Sequence, residues 1–192
     1  MKPNPLARNA GAFLLVIKLL PARPVDLIIV AAGVLHDGEL QPEKALKDLS
    51  LDNFYSVFNI NTFGTALAAK HFLPLLPREG KSVFAALSAR VGSIEDNYIG
   101  GWYGYRASKA ALNMILKSAS IEMARKYKKA CVIGLHPGTV DTNLSEPFQG
   151  HVKPDKLFTP DDATEQMLQV INDINADKSG KLLAYDGTVI PY

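Results

Sequence analysis

A chain of 192 residues can bury about 70% of the surface its unfolded form exposes, enough for one domain with a real core. Its net charge of +2 leaves one dense basic run, Arg125-Lys126-Tyr127-Lys128-Lys129, read as cations favoured at a helix end, so neither nucleic acid nor a membrane surface is an expected partner. A single cysteine, Cys131, excludes an internal disulfide, and the scattered histidines His36, His71, His136 and His151 lack metal-ligand spacing, so no metal is expected.

The first 24 residues are atypical. Basic residues precede an apolar stretch from Ala12 to Leu20, as in a signal peptide, but Lys18 interrupts it and a second apolar run follows at once. No membrane span is expected, and the cytoplasm is the default location. Residues 25–33, VDLIIVAAG, read as a strand buried on both faces that ends in glycine. Ser50 can cap a helix from Leu51, in which Phe54, Val57, Phe58, Leu67, Ala68 and Leu75 recur at helical spacing until Pro77 stops it. SVFAAL at 82–87 is a second strand. The loop from Gly92 to Gly104 then leads into a helix to about Tyr127, with Ala110, Met114 and Ile121 expected on its inner side.

Residues 130–135 give a third strand, which buries Cys131 and closes at His136-Pro137-Gly138. Thr159-Pro160-Asp161-Asp162 opens a further helix, with Met167, Leu168, Val170, Ile171 and Ile174 expected on one side. Residues 181–185 read as a strand, and Asp186-Gly187 as a tight turn. Such alternation predicts a three-layer α/β fold, a Rossmann-like parallel sheet with helices on both faces. Ligands of such sheets bind beyond the carboxyl ends of the strands, where Ala31-Ala32-Gly33, the segment from Ser88 to Ser93, and Pro137-Gly138-Thr139 all fall.

The stretch YGYRASKAAL, residues 103 to 112, sets a tyrosine and a lysine four places apart at that rim. On a helix Tyr105 and Lys109 share one face, and an ammonium beside a phenol stabilises its anion, moving the hydroxyl toward the range useful for proton transfer. The small residues Ala107, Ser108, Ala110 and Ala111 around the pair allow close approach. Asn61 lies on what should be an inward helix face, where an unpaired amide is costly.

YRASKAALN resembles the active-site helix of the short-chain dehydrogenase/reductase family. VAAG at 30–33, INTFG at 60–64 and HPGTVDT at 136–142 resemble further family segments in the same order, with alanine or valine in place of two asparagines in the first. LSARVGSIEDN, GGWYGYRASKAALN and the ending AYDGTVIPY are closest to the branch of C-factor-like proteins and small carbonyl reductases. The resemblance runs from about residue 25 to the C-terminus.

It implies an NAD- or NADP-dependent oxidoreductase acting on a small carbonyl compound or alcohol. Tyr105 would be the acid/base, Lys109 would lower its pKa and bond the cofactor ribose, and Asn61 would hold a water that links the lysine to solvent. Ser88 would orient the substrate, with Ser93 as the alternative, because the family's second serine is replaced here by Ala89. Ala31, Ala32 and Gly33, with Pro137, Gly138, Thr139, Val140 and Thr142, would contact the cofactor. The region from Glu146 to Leu157 would be a substrate lid, and pairing of two copies through the long helices would be in keeping with the family.

The family's Thr-Gly-x-x-x-Gly-x-Gly phosphate loop has no counterpart here, so residues 25–192 read as the second half of an N-terminally truncated fold, with 1–24 as a separate segment. Ala12 to Leu20 would then cover the open edge of the strand at 25–30 or the adjacent face. Loss of the loop also leaves a second reading, a non-catalytic remnant used in signalling or partner binding.

Overall fold

A computed structural model describes residues 25–192; the expectations for segment 1–24, including the edge cover by Ala12 to Leu20, lie outside the described residues. The sheet is built from β1 (Leu27–Val30), β2 (Ser82–Leu87), β3 (Ala130–His136), β6 (Leu182–Ala184) and β7 (Val189–Ile190), in the order β1-β2-β3-β6-β7. The first four run parallel, with Ile28 beside Phe84 and Phe84 beside Val132. Gly187 turns the chain at φ 79°, and β7 returns antiparallel to β6, a strand the sequence reading did not foresee. A second, two-stranded piece pairs β4 (Thr139–Val140) with β5 (Leu157–Phe158).

Helices cover both faces, as the alternation predicts. On one face lie α1 (Leu51–Phe58), α2 (Thr65–Phe72) and the long α3 (Tyr103–Met123); α4 (Pro160–Asp173) lies on the other. The period of two along each strand divides the core. Phe84, Ala86 and Val132 meet Ala69, Leu73, Leu112 and Leu116, whereas Val83, Ala85, Cys131, Ile133 and Leu135 meet Val170, Ile171 and Ile174. Both predicted caps are present: Ser50 Oγ accepts from the Asn53 N–H at 3.4 Å, and Thr159 Oγ1 from that of Asp162 at 3.1 Å. Among the described residues no helix is long and apolar enough to cross a membrane.

Four expectations are corrected. The single helix from Leu51 is broken by a π-helical turn at Asn59–Gly64 between α1 and α2. The strand at 27–30 is half-buried on one face only: among the described residues it is an edge strand, and Leu27 and Ile29 are exposed on the side that no described element covers. Met114 and Ile121 point outward, because the buried stripe of α3 is Ser108, Lys109, Leu112, Asn113, Leu116 and Ser120. Leu168 likewise faces outward on α4.

Phe84 is fully buried in the central part of the sheet and touches the helical layer, so Phe84→Ala should destabilise the fold by about 3–5 kcal/mol. Urea unfolding followed by circular dichroism measures it, and a loss below about 1 kcal/mol would contradict this packing.

Candidate active site

Three loops at the carboxyl ends of β1, β2 and β3 and the start of α3 enclose a cleft of about 460 Å³. Tyr105 is the third residue of α3, and its ring lines the cleft together with Ala31, Ser88, Ala89, Trp102 and Phe148. Its hydroxyl has no hydrogen-bond partner among the described residues. Lys109 follows one turn later, buried, with Nζ 5.7 Å from the centre of the Tyr105 ring and donating to the Leu87 carbonyl at 2.8 Å.

Asn61 organises this arrangement from beneath. The π-helical turn directs Asn61 and Thr62 inward while Ile60 and Phe63 face out. The Asn61 amide accepts from the Val34 N–H at 2.7 Å and donates to the Val34 carbonyl at 2.9 Å and to Ser108 Oγ at 3.1 Å. Thr62 Oγ1 donates to the Ser108 carbonyl at 2.8 Å, and Ser108 Oγ donates to the Tyr105 carbonyl at 2.8 Å. A Cβ on Gly33 would lie 3.6 Å from Lys109 Nζ and 3.7 Å from Asn61 Oδ1, so the β1 loop runs across both groups.

The loop after β2 is pulled equally close. A Cβ on Gly92 would come within 2.7 Å of Lys109 Cβ, so only glycine lets this loop meet the helix. Ser88 lines the cleft, but its hydroxyl donates to Asn113 Oδ1 at 2.7 Å, and both groups are buried. Ser93 is turned elsewhere: its Oγ accepts from the Asp96 N–H at 3.0 Å, and it does not reach the cleft. Pro137, Gly138, Thr139, Val140 and Thr142 form the opposite wall, as expected of the loop after β3, and the short strand β4 anchors it to β5. Phe148 and Val152, from the segment foreseen as a lid, face inward.

The electrostatics differ from the sequence expectation. Burial raises the Tyr105 pKa from 10.0 to about 12, and burial lowers that of Lys109 from 10.5 to about 8. In the free protein desolvation therefore outweighs the stabilisation of phenolate by ammonium, because the ammonium is tied to Leu87 and lies over the ring. His136, at the end of β3, is another cleft residue. Burial and the nearby Arg90 push it down to about 4, against Asp186, and its buried Nδ1 is unpartnered among the described residues.

Several residues here were missed in the sequence. Asn113 stood in the quoted motif at the polar spacing of α3, and Trp102 directly precedes the helix, so both had a local signal. Arg90 and His136 likewise stood in the quoted segments LSARVGSIEDN and HPGTVDT, whereas Met167 was read only as a core residue of its helix.

The short chain dehydrogenase family model matches residues 15–152, beginning ten residues before the segment where the resemblance was read. The chain belongs to the short-chain dehydrogenase family. It is 34% identical over 169 residues to the C-signal protein of Myxococcus xanthus, a match covering 88% of this chain and 93% of that one. Identity to the 1-hydroxy-2-glutathionyl-2-methyl-3-butene dehydrogenase of Rhodococcus sp. strain AD45 is 32% over 168 residues, 88% of this chain and 69% of that enzyme. Among solved structures, the NADPH-bound carbonyl reductase from chicken fatty liver has a TM-score of 0.77 at 26% identity, over 95% of this chain and 71% of that one. The carbonyl reductase Sniffer of D. melanogaster shares the fold, with a TM-score of 0.81 at 24% identity over 96% of this chain and 75% of that one.

The two shifts give opposite pH dependences. Between about pH 8 and 10.5 the unfolded chain holds a Lys109 proton that the folded chain has released, so stability rises across that window. Between about pH 10 and 12 the folded chain keeps a Tyr105 proton that the unfolded chain loses, so stability falls. Urea unfolding at a series of pH values should show the rise abolished in Lys109→Met, on the order of 3 kcal/mol, and the fall abolished in Tyr105→Phe. Parallel curves for the wild type and both variants would refute the buried placement of the pair.

Proposed function

We propose that the protein is an NAD(P)-dependent oxidoreductase that interconverts a carbonyl compound and an alcohol, with Tyr105 as the acid/base. The observation that carries the reading is the Tyr105 hydroxyl, unpartnered among the described residues in a cleft with apolar walls, one helical turn from a buried lysine. The residues present fit the nicotinamide and ribose end of such a cofactor. An unpaired buried His136 Nδ1, the Lys109 ammonium beside the exposed Ala31-Ala32-Gly33 loop, and the Pro137-to-Thr142 wall offer the polar groups it needs. A nicotinamide cofactor, when bound, supplies or takes up the hydride, which no side chain can do.

The chain's own residues manage the proton. Tyr105 is protonated at neutral pH and gives its phenol proton to the carbonyl oxygen of the substrate; the reverse transfer accompanies alcohol oxidation. Lys109, still cationic at pH 7, stabilises the phenolate that remains. Asn61 has one Oδ1 lone pair left after its bond from Val34, which supports a water relay toward Lys109. Ser88 would orient the carbonyl by exchanging its bond to Asn113 for one to the substrate. The exposed Leu67, Met114 and Ile121 on α2 and α3 support pairing of two copies through these helices.

A second reading is a non-catalytic signalling or partner-binding module. The match over 93% of C-signal favours it.

Titration with NADPH and NADH, followed by cofactor fluorescence, separates the two. The oxidoreductase reading expects saturable binding and ketone reduction that falls by at least about 10³-fold in Tyr105→Phe while cofactor binding persists. No binding at millimolar cofactor, or turnover unchanged in the variant, would exclude it.

A further inference from the structure

The start of α3 lacks an ordinary cap. Its N-cap residue, Trp102, offers no capping side chain and adopts a left-handed conformation at φ 52° and ψ 43°, uncommon for so bulky a residue. Gly100 and Gly101 before it are also left-handed, at φ 69° and 64°, so three successive residues wind the chain into the helix the wrong way round.

Glu43, from the loop after β1, holds this unusual entry. Its backbone carbonyl accepts from the Trp102 N–H at 2.5 Å, and its carboxylate accepts from the Gly104 N–H at 3.0 Å, across 61 residues of sequence. The side chain is 4% exposed, and a buried carboxylate is tolerated only where something compensates it; here that is the positive end of a 21-residue helix. The fit leaves no room to spare, since a Cβ on Gly104 would stand 2.9 Å from Glu43 Oε1.

The strained conformation has a consequence at the cleft. It aims the Trp102 indole at Phe148, 4.8 Å between ring centres, and at Tyr105, 6.2 Å away. The first turn of α3 thereby carries both the reacting phenol and the aromatic wall beside it. Backbone strain at a ligand site persists only where its surroundings impose it.

We propose that Glu43 is a positioning residue for the cleft: through the Trp102 and Gly104 N–H groups it fixes the first turn of α3, setting Trp102 against Phe148 and Tyr105 beneath the substrate. The consequence for turnover rests on the acid/base reading of Tyr105; the placement of Trp102 does not.

Trp102 is the only tryptophan in the chain, which makes its fluorescence a direct report on this turn. Glu43→Ala should raise acrylamide quenching of Trp102 by about twofold or more, at a temperature where the variant is still fully folded by far-UV circular dichroism. Glu43→Gln, whose amide oxygen can accept the same N–H, should restore it. Gly104→Ala should lower the unfolding midpoint of the wild-type chain, because the new methyl meets the carboxylate, but leave unchanged or raise that of Glu43→Ala, where the space is open and alanine favours the helix. If Glu43→Ala does not fold, Gly104→Ala alone should raise the quenching.

Where the protein reduces a phenyl ketone with NADPH, Glu43→Ala should lower kcat about tenfold with a smaller change in KM, measured at a temperature where the variant is fully folded so that the loss reflects a misplaced acid. A wild type without turnover defeats the enzymatic reading and leaves the quenching and the double-mutant cycle to decide the role of Glu43. Unchanged quenching in every variant, equal destabilisation by Gly104→Ala in both backgrounds, or a kcat unaffected in an active Glu43→Ala protein would overturn the proposal.

Discussion

One buried amide sets the geometry of the rim. Asn61 is fully buried, and its side chain bonds the backbone of Val34 twice and Ser108 once, so it joins the loop after β1 to the helix that carries Tyr105. An amide in that position without partners would cost roughly 1–3 kcal/mol per lost bond, which makes any other relative placement of loop and helix unfavourable. Since Ser108 sits between Tyr105 and Lys109 in the sequence, fixing Ser108 fixes both. The π-helical turn is what makes the contact reachable: it inserts an extra residue into the helical winding and turns two consecutive polar side chains, Asn61 and Thr62, toward α3 while apolar neighbours face out.

A phenol raised to about 12 is held against ionisation by nearly 3 kcal/mol relative to water. In the free protein it is a proton donor and a poor base at neutral pH. Under the acid/base reading this favours protonation of a carbonyl oxygen, while the Lys109 ammonium, spent in part on the Leu87 carbonyl, lies over the phenol ring. Lys109 shows the same burial from the other side, since its lowered pKa comes from the same loss of water. Loop approach at Gly33 and Gly92, which removes that water, is thus an electrostatic feature as much as a packing one.

The sequence carried the architecture because its signals are local. Apolar runs near 27, 82 and 130, the caps Ser50 and Thr159, and the four-residue spacing of Tyr105 and Lys109 each depend on neighbours a few positions away. What it hid depends on distant partners. Nothing around Glu43 announces a bond to a helix 61 residues later, and nothing around Ser88 announces that Asn113 takes its hydroxyl. The exposure of one face of β1 was equally hidden, because an all-apolar run carries no alternation that tells a covered face from an open one.

The misplaced apolar residues of α3 have a cause within the site. A helix facing a core would ordinarily bury Met114 and Ile121 and expose its serines, lysines and asparagines. Here the inward stripe is claimed over its first half by Ser108, Lys109 and Asn113, bonded to the π-helical turn, the end of β2 and the loop after it, and Leu112, Leu116 and Met123 complete it as a core helix would. Helical periodicity then fixes the rest: with those positions turned inward, Met114 and Ile121 fall on the opposite side and stay in contact with solvent. The first half of the helix serves the cleft and the second half the core, and the exposed apolar face follows from asking one helix to do both.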